Sequence, residues 1–410
     1  MRHCIRGFFC ILLIFTLAIP ALAEDTAAGE PELTCPSALL MDFATGKILY
    51  EKNSHERRPL ASVTKIMTML LTMEAIDSGN LHYDDMVTGS EHAKSMGGST
   101  IFLDAGEQMS VRDLLKGVAV ASGNDAAVAL AEHIGGSEEG FVAMMNQRAG
   151  QLGMADTHFV NCNGLDADGH YSSAYDIALM SRELLKHPDI HNFTTIWMDS
   201  LRNGQFTLSN TNKLIRFYEG ATGLKTGSTS QAQFCVSATA KRDHMHLIAV
   251  IMAAPTSTDR VSDASKLLNY GFANYGIKQV VAAGEQMGEV TLQKGVKPTV
   301  QVVAKDGFDF LAKKTDASEV EKRMNLESTQ RAPVKQGDTA GSVDFFVNGE
   351  QIGSTPLVYS ETVPKITVGQ VYMDLIRRWA GKRPGQPRTT FRLQIETITQ
   401  PDALEQQPAA

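Results

Sequence analysis

The chain has 410 residues, of which 43% are hydrophobic and 20% are charged, and this composition excludes a disordered or fibrous protein. Its formal net charge of −8, with no dense basic block ahead of the C-terminal region, argues against a nucleic-acid partner. The length is sufficient for two or three domains with a large buried core.

The N-terminus has the pattern of an export signal. Two arginines precede an apolar run over Phe8–Ile19, and Ala21-Leu22-Ala23 provides a small-x-small cleavage site. The run is short for a bilayer span, which needs about 20 apolar residues, although an uncleaved anchor is the alternative interpretation. We therefore expect a signal peptide over residues 1–23, a polar leader over residues 24–34 and an exported protein.

Cysteines contribute little to the prediction. Cys35, Cys162 and Cys235 remain after signal cleavage, an odd number without CxxC spacing. One of them must therefore stay free or pair between chains. Cys235 lies within a strand pattern, and we expect it to be a buried core residue.

Residues 35–276 are predicted to form one α/β domain. A strand-turn-strand pattern over Ser37–Glu51 indicates a hairpin, and apolar residues at helical spacing indicate a helix that begins at Ser62 and ends at Gly79. Further helices are predicted over Val111–Ala121, Asp125–Ile134, Met144–Leu152, Ser173–Leu185 and Val261–Tyr275. Strands are predicted over Gly223–Ser228, Phe234–Ala240 and His246–Ala253. Helices on both sides of a late antiparallel sheet predict the α/β class.

The pattern of apolar and polar residues changes after residue 276. Short strand-like segments occur at Thr299–Val303, Val343–Val347 and Pro364–Val368, separated by Gly, Lys and Asp. They predict a small all-β domain over residues 277–366. An amphipathic helix over 367–383 and a polar tail over 384–410 follow.

The first candidate motif is Ser62-Val63-Thr64-Lys65. If a helix begins at Ser62, the Lys65 amine lies one turn further on and on the same face, within reach of the serine oxygen. A serine hydroxyl needs a neighbouring base, and a lysine can be that base only if its pKa is lowered. The motif is weak when taken alone, because SxxK matches occur by chance.

The second motif, Ser122-Gly123-Asn124, lies in the break between two predicted helices. A serine there can relay a proton to a leaving amine, and an asparagine can hydrogen-bond both a lysine ammonium and a substrate amide. Serine, glycine and asparagine are also ordinary residues of an interhelical loop. In isolation, we would interpret the motif as such a loop.

The third motif is Lys225-Thr226-Gly227-Ser228, on a strand predicted at the edge of the sheet. Lys225 there would bind a substrate carboxylate and lower the pKa of Lys65 by like-charge repulsion. Gly227 would allow a substrate backbone to approach closely, and the N–H groups of Ser228 and Ser62 could form an oxyanion hole. A strand that ends in a polar turn is the alternative interpretation.

The order of the three motifs is more specific than any one of them. SxxK, SxN and KTG occur together in serine β-lactamases and penicillin-binding proteins. The chain resembles the D-alanyl-D-alanine carboxypeptidases of the low-molecular-mass penicillin-binding protein group. The matching stretches are Pro59–Thr68, Ala121–Ala126, Gly169–Asp176 and Gly223–Gly227. The resemblance covers nearly all of residues 35–276 and, more loosely, the β domain to about residue 380.

This resemblance implies a fold, an activity and a set of residue roles. The fold is a penicillin-binding-protein/β-lactamase-like domain followed by a small all-β domain, and the activity is removal of the terminal D-alanine from peptidoglycan stems by an extracytoplasmic enzyme. Ser62 would be the nucleophile, acylated also by β-lactams, and Lys65 its base. Ser122 and Asn124 would have the proton-relay and positioning roles. Lys225, Thr226 and Arg260 would bind the terminal carboxylate. From spacing alone, Arg260 would be a surface helix residue.

Three alternatives stay open at this point. A serine β-lactamase shares the trio, but no E-x-x-L-N stretch occurs between Ser122 and Lys225 to supply its glutamate. A zinc peptidase is disfavoured because the chain has no HExxH pair, and we interpret His170 as a loop residue rather than a ligand, so that neither metal nor cofactor is expected. A non-enzymatic wall-binding protein would not need Ser62, Lys65 or Lys225.

The C-terminal segment suggests one more partner. Val368, Val371, Tyr372, Leu375 and Trp379 fall on one face of a helix, followed by basic residues up to residue 383. A basic amphipathic helix with tryptophan suits an anionic bilayer surface, and the resemblance implies such an anchor. A helix packed on the β domain is the alternative.

Overall fold

The structure, a computed structural model, describes residues 29–316 and 318–380. The predicted signal peptide, the first part of the leader and the polar tail lie outside the described residues. Contacts divide the chain into two compact units. One comprises the described residues through Lys278 together with the segment that begins at Asp309, and the other comprises Gln279–Phe308 and the residues from Ser318 onward.

The first unit is built from these elements. Its α-helices are α1 (Lys65–Asp77), α2 (Glu91–Lys94), α3 (Val111–Lys116), α4 (Asn124–Gly135), α5 (Glu138–Gln151), α6 (Ala174–Leu184), α7 (His191–Thr194), α8 (Leu214–Phe217) and α9 (Ser257–Asn274). Its strands are β1 (Ser37–Asp42), β2 (Ile48–Lys52), β3 (Met86–Thr88), β4 (Gln108–Ser110), β5 (Met198–Leu201), β6 (Phe206–Ser209), β7 (Ala221–Thr229), β8 (Gln233–Arg242) and β9 (Met245–Ala254). Short 3₁₀ helices cover Ala61–Thr64 and Pro188–Ile190, and a π-helical turn covers Gly117–Ala121.

A five-stranded antiparallel sheet organises this unit, in the order β2-β1-β9-β8-β7. Strand β9 is buried along its whole length, and its side chains alternate between two cores. Ile248 and Val250 pack toward the cluster of helices α1 and α3 to α6, whereas Leu247 and Ala249 pack toward α9. Burial on both faces explains why the strand is a continuous apolar run. The predicted antiparallel sheet with helices on both sides is therefore confirmed, and β7 is its edge strand as expected.

Two predicted helices differ in their local form. The helix expected to begin at Ser62 is preceded by a 3₁₀ turn, and α1 itself begins at Lys65. The helix predicted over Val111–Ala121 keeps α geometry only to Lys116 and then widens into a π-helical turn. The 3₁₀ turn contains Ser62 and the π-helical turn ends directly before Ser122, and functional sites commonly depart from regular geometry in this way.

The second unit is all-β apart from one helix. Strand β10 (Tyr275–Val281) begins in the first unit and pairs with β13 (Phe308–Lys313), which also lies mainly in the first unit. The strands of the second unit are β11 (Gln286–Gln293), β12 (Thr299–Ala304), β14 (Glu321–Leu326), β15 (Thr329–Arg331), β16 (Thr339–Val347) and β17 (Glu350–Tyr359). They form a six-stranded sheet in the order β14-β16-β17-β12-β11-β15, in which β11 and β15 are parallel. The predicted small β domain is thus confirmed as a fold.

The C-terminal part of this unit corrects one prediction. Pro364–Val368 does not form a strand, because its neighbourhood makes only isolated bridges, Val334 to Val363 and Gly295 to Lys365. Helix α10 (Val368–Trp379) begins instead. The predicted apolar stripe of α10 is solvent-exposed, and Trp379 at its end is 92% exposed. None of the helices in the described ranges is both long enough and apolar enough to cross a bilayer.

Candidate active site

Ser62 and Lys65 meet at the junction of the 3₁₀ turn and helix α1. Ser62 is half-buried within the turn, and Lys65 is the first residue of the α-helix. Their side chains lie on the same face, so that Lys65 Nζ is 3.0 Å from Ser62 Oγ. The predicted reach of the lysine to the serine oxygen is therefore observed, although a 3₁₀ turn and not an α-helical turn brings the two together.

The Lys65 side chain is fully buried and has two further partners. Its Nζ donates to Asn124 Oδ1 at 2.5 Å and to the Asn163 carbonyl oxygen at 2.6 Å. Burial lowers the pKa of Lys65 to about 7, because the charged form loses its hydration. Sequence reasoning missed Asn163, since a backbone carbonyl leaves no signal in side-chain chemistry.

The serine and asparagine of the second motif flank the start of helix α4. Ser122 follows the π-helical turn with a left-handed backbone, at φ 63°, and its buried Oγ has no hydrogen-bond partner among the described residues. Asn124 is the first residue of α4. Its Nδ2 donates to the Gly97 carbonyl at 2.7 Å, and its backbone N–H donates to the Ser99 carbonyl at 2.7 Å. Asn124 therefore links the lysine to the loop at residues 97–99.

Strand β7 brings the third motif to the same place. Lys225 is buried and donates through Nζ to the Thr226 carbonyl at 2.9 Å. Burial lowers the pKa of Lys225 well below its usual value, and the charges of Lys65 and Arg260 lower it further. The like-charge effect that we predicted for Lys65 thus acts on Lys225, and burial is what lowers the pKa of Lys65. The Thr226 hydroxyl donates to Thr211 Oγ1 at 2.7 Å.

Gly227 is the contact point between β7 and the 3₁₀ turn that carries Ser62. A β-carbon at this residue would lie 2.8 Å from the Ser62 backbone nitrogen and 2.8 Å from the Leu60 carbonyl oxygen. Only glycine allows the strand to approach so closely. The next residue, Ser228, is exposed at the end of the strand. The backbone N–H of Ser62 therefore lies beside β7, and the pairing of Ser62 and Ser228 as oxyanion donors stays a prediction.

Arg260 is not the surface residue that its spacing alone suggested. It lies in the first turn of α9 but is only 8% exposed, and its guanidinium donates to the Gly227 carbonyl at 3.3 Å and to the Cys235 carbonyl at 3.5 Å. A buried cation behind Gly227 is favourable for binding an anion at β7. Cys235 is buried in β8 as predicted, and together with Cys35 and Cys162 it is unpaired.

A loop that the motifs did not identify supports the turn from the other side. Gly164, at φ +87°, lies so close that a β-carbon there would come within 2.0 Å of the Ala61 carbonyl oxygen. His170 accepts a hydrogen bond from Val160 N–H on Nδ1, so its Nε2 carries the proton and donates to Thr64 Oγ1 at 2.8 Å. Burial lowers the pKa of His170 to about 4. His170 is therefore a neutral structural residue, and the described ranges contain no group of three or more potential metal ligands.

Comparison with known proteins shows the family to which the sequence belongs. Residues 24–256 match the model of the D-alanyl-D-alanine carboxypeptidase family (peptidase S11), and residues 275–365 match the C-terminal domain of penicillin-binding protein 5. The chain is 42% identical over 371 residues to the D-alanyl-D-alanine carboxypeptidase DacF of Bacillus subtilis, covering 89% of this chain and 95% of that one. It is 35% identical over 362 residues to DacD of Escherichia coli, covering 86% and 93% of the two chains.

A solved structure shows the same architecture. Penicillin-binding protein 5 of Haemophilus influenzae aligns with a TM-score of 0.67 at 34% identity, over 82% of this chain and all of that one. The predicted penicillin-binding-protein-like fold with a C-terminal β domain is thus confirmed. The family match covers more than half of the sequence, and the chain therefore belongs to the D-alanyl-D-alanine carboxypeptidase family.

Proposed function

We propose that the protein is a serine-type carboxypeptidase that removes the terminal D-alanine from peptidoglycan pentapeptide stems through an acyl-enzyme on Ser62. The observation that carries this proposal is the set of three partners around Lys65 Nζ. A neutral amine has two hydrogens and one lone pair. The oxygens of Asn124 and Asn163 can only accept, so they take the two hydrogens, and the lone pair is left for the Ser62 hydroxyl proton.

The reaction follows from this arrangement. Ser62 Oγ attacks the carbonyl carbon of the penultimate residue while its proton passes to Lys65, and the N–H groups of Ser62 and Ser228 stabilise the oxyanion. The C–N bond breaks as the leaving amine takes a proton through Ser122, and D-alanine departs. Water then hydrolyses the ester with Lys65 again as base, which restores the serine hydroxyl.

Recognition of the substrate end is assigned to β7 and α9. The free carboxylate of the terminal D-alanine would be held by Lys225, which the negative charge of the substrate would keep protonated, and by the Thr226 hydroxyl once its hydrogen turns away from Thr211 Oγ1. Arg260 behind Gly227 would contribute further positive charge. Penicillin carries a carboxylate and a strained amide in a similar relation, so the same attack would leave a penicilloyl ester on Ser62. β-Lactams are therefore proposed as inhibitors that react with the same site.

We further propose that the enzyme works outside the cytoplasmic membrane and touches its surface through α10. The N-terminal export pattern and the exposed apolar stripe of α10 support this location. Val368, Leu375 and Trp379 are 87%, 60% and 92% exposed, which suits insertion into the headgroup region. The basic residues at 382 and 383 lie outside the described residues.

Mass spectrometry of the products from a synthetic pentapeptide stem tests the function. The wild-type enzyme should release free D-alanine and the tetrapeptide, whereas Ser62→Ala should release neither. Ser78→Ala, at an exposed serine after α1, is the matched control and should turn over like wild type. Turnover by Ser62→Ala would overturn the proposal, and products joined to an added amine in place of free tetrapeptide would identify a transpeptidase.

A further inference from the structure

Phe102 is an apolar residue turned outward next to the active site. Its side chain is 73% exposed, while its neighbours Ile101 and Leu103 are 0% and 2% exposed. Its backbone is left-handed, at φ 55°. A bulky residue is an outlier in that region, and such strain persists only where the surroundings impose it. The fold therefore holds this ring in solvent at an energetic cost.

Two buried or half-buried charged groups impose the conformation. The Asp125 carboxylate accepts from the N–H of Ile101 at 3.0 Å and from the N–H of Leu103 at 2.9 Å. The Arg202 guanidinium donates to the Ile101 carbonyl at 2.9 Å and to the Phe102 carbonyl at 3.0 Å. The backbone groups on both sides of Phe102 are thus fixed, and the ring is presented by a rigid loop.

The ring belongs to a small aromatic surface. Phe102 packs edge-on against Phe206 of β6, with ring centroids 5.8 Å apart at 75°. The Arg202 guanidinium lies over the Phe206 ring at 5.7 Å and is itself held by both oxygens of Glu107, at 2.7 and 2.9 Å. The edge-on contact with Phe206 restricts the orientation of the Phe102 ring before any ligand binds, and such preorganisation favours recognition by stacking.

The loop that carries Phe102 also touches the catalytic asparagine. The Ser99 carbonyl accepts from Asn124 N–H at 2.7 Å, so Phe102, three residues further on, lies within about 11 Å of that contact by chain length. Because Ser62 attacks the penultimate residue, four residues of a pentapeptide stem lie on the side of the sugar, and in extended form they span at most about 14 Å. This length is of the same order as the distance from the Asn124 contact to Phe102, so the sugar at the far end of a stem bound at Ser62 lies within range of the ring.

We propose that Phe102, supported by Phe206, is a saccharide platform that stacks against the N-acetylated sugar to which the stem peptide is attached. A pyranose ring presents a continuous face of C–H groups to an aromatic ring, whereas alanine residues of a stem offer only single methyl groups. The platform would make the enzyme prefer stems that are still joined to the glycan. This inference rests on the proposed carboxypeptidase function.

The test compares kcat/KM for a disaccharide pentapeptide with kcat/KM for the free pentapeptide. Wild type should prefer the disaccharide substrate by about two- to tenfold, the range expected for one aromatic contact. Phe102→Asn should abolish the preference, because asparagine tolerates the left-handed backbone but has no ring. Phe102→Tyr should retain it. Phe217→Asn, which removes an equally exposed phenylalanine (71%), should leave the ratio at the wild-type value.

The possible outcomes separate the two proposals. If wild type releases no D-alanine from the free pentapeptide, the proposed function fails, whatever the ratio. If the pentapeptide is turned over but wild type shows no preference, or Phe102→Asn keeps the preference, the platform is wrong. If Phe102→Asn slows both substrates equally, the residue acts on the peptide or on the loop, and the saccharide proposal is again overturned. Benzylpenicillin acylation, which involves no sugar, should be unchanged in Phe102→Asn.

Discussion

Gly227 of β7 lies against Ser62 so closely that one added carbon atom on the glycine would come within 2.8 Å of the serine's backbone nitrogen. The two residues are far apart in sequence and belong to different elements. Their contact fixes the distance between Ser62, the proposed nucleophile, and the strand that we propose binds the substrate.

Gly227→Ala should disable the site. The new β-carbon meets backbone atoms that cannot rotate away, so β7 must move from the 3₁₀ turn that carries Ser62, at a cost of about 1–3 kcal/mol in the free energy of unfolding. Benzylpenicillin acylation should fall at least about a hundredfold, as expected when donors to an oxyanion are misplaced. Gly150→Ala, in an open and exposed part of α5, is the control and should leave acylation unchanged. A Gly227→Ala enzyme with normal acylation would contradict the proposed contact.

The rate of acylation should rise with pH through about 7. Lys65 acts as a base only when neutral, and burial lowers its pKa to about 7, so the active fraction increases as the pH passes that value. Stopped-flow acylation by a chromogenic β-lactam measures the profile. Lys65→Arg should be inactive at every pH, because arginine stays protonated in proteins. Lys47→Arg, at an exposed lysine, should follow the wild-type curve, and a flat wild-type profile between pH 6 and 8 would refute the assignment.

Asn124→Asp should shift that profile to higher pH. The Asn124 side-chain oxygen lies 2.5 Å from Lys65 Nζ, and a carboxylate there would stabilise the ammonium form and raise the pKa of Lys65. Acylation at pH 7 should drop about tenfold or more and recover partly at pH 9. Asn80→Asp, on the exposed turn after α1, controls for the change in net charge. An unshifted profile would show that Asn124 does not set the protonation of Lys65.

Arg260→Ala should weaken discrimination between a free and an amidated C-terminus. Wild type should cleave the free acid far better than the amide, because Lys225 and Arg260 offer positive charge to the carboxylate. Loss of a charged hydrogen-bonding partner should lower kcat/KM for the acid about ten- to a hundredfold and leave the amide nearly unaffected. Lys266→Ala, further along α9, is the control. If Arg260→Ala discriminates as well as wild type, Arg260 has no part in carboxylate binding.

Removal of α10 should release the protein from membranes. Truncation after Lys365 deletes the exposed stripe and should abolish co-sedimentation with anionic liposomes at low salt, while penicillin acylation persists. The double variant Val371→Glu/Leu375→Glu should behave in the same way. Met324→Glu, at a half-exposed methionine of β14, should bind as wild type does. The membrane proposal fails if the mature full-length protein does not sediment with the liposomes.

The sequence was most informative where side-chain chemistry is concentrated in short motifs. Ser62, Lys65, Asn124 and Lys225 lie close together in the structure, as the three motifs predicted. Their roles as nucleophile, base, positioning residue and anion-binding cation stay predictions. Strands β8 and β9 were predicted from their apolar runs. Helix α10 was predicted from its periodicity. It begins at Val368, which is also the first residue of the predicted apolar stripe.

The contacts that could not be predicted from the sequence are mostly made by backbone atoms. The Asn163 and Gly97 carbonyls that hold the lysine and the asparagine depend on long-range packing, to which every residue type contributes the same atoms. Spacing alone predicted a surface position for Arg260. That prediction was wrong because α9 buries the arginine in its first turn, against the usual preference of arginine for exposure. Pro364–Val368 has strand-like composition but only isolated bridges as partners. In each of these cases tertiary contacts overrode a local pattern.

At Ser122, thermal stability and the proposed activity favour different residue types, because the backbone there is left-handed. At φ 63° a glycine or an asparagine would be less strained than a serine, by about 1 kcal/mol, so the hydroxyl that we propose as the proton relay lowers the stability of the fold. An engineer who selects variants of this chain for survival at high temperature would thereby reward replacement of Ser122. Such a selection would enrich robust but inert proteins, unless each round also requires turnover.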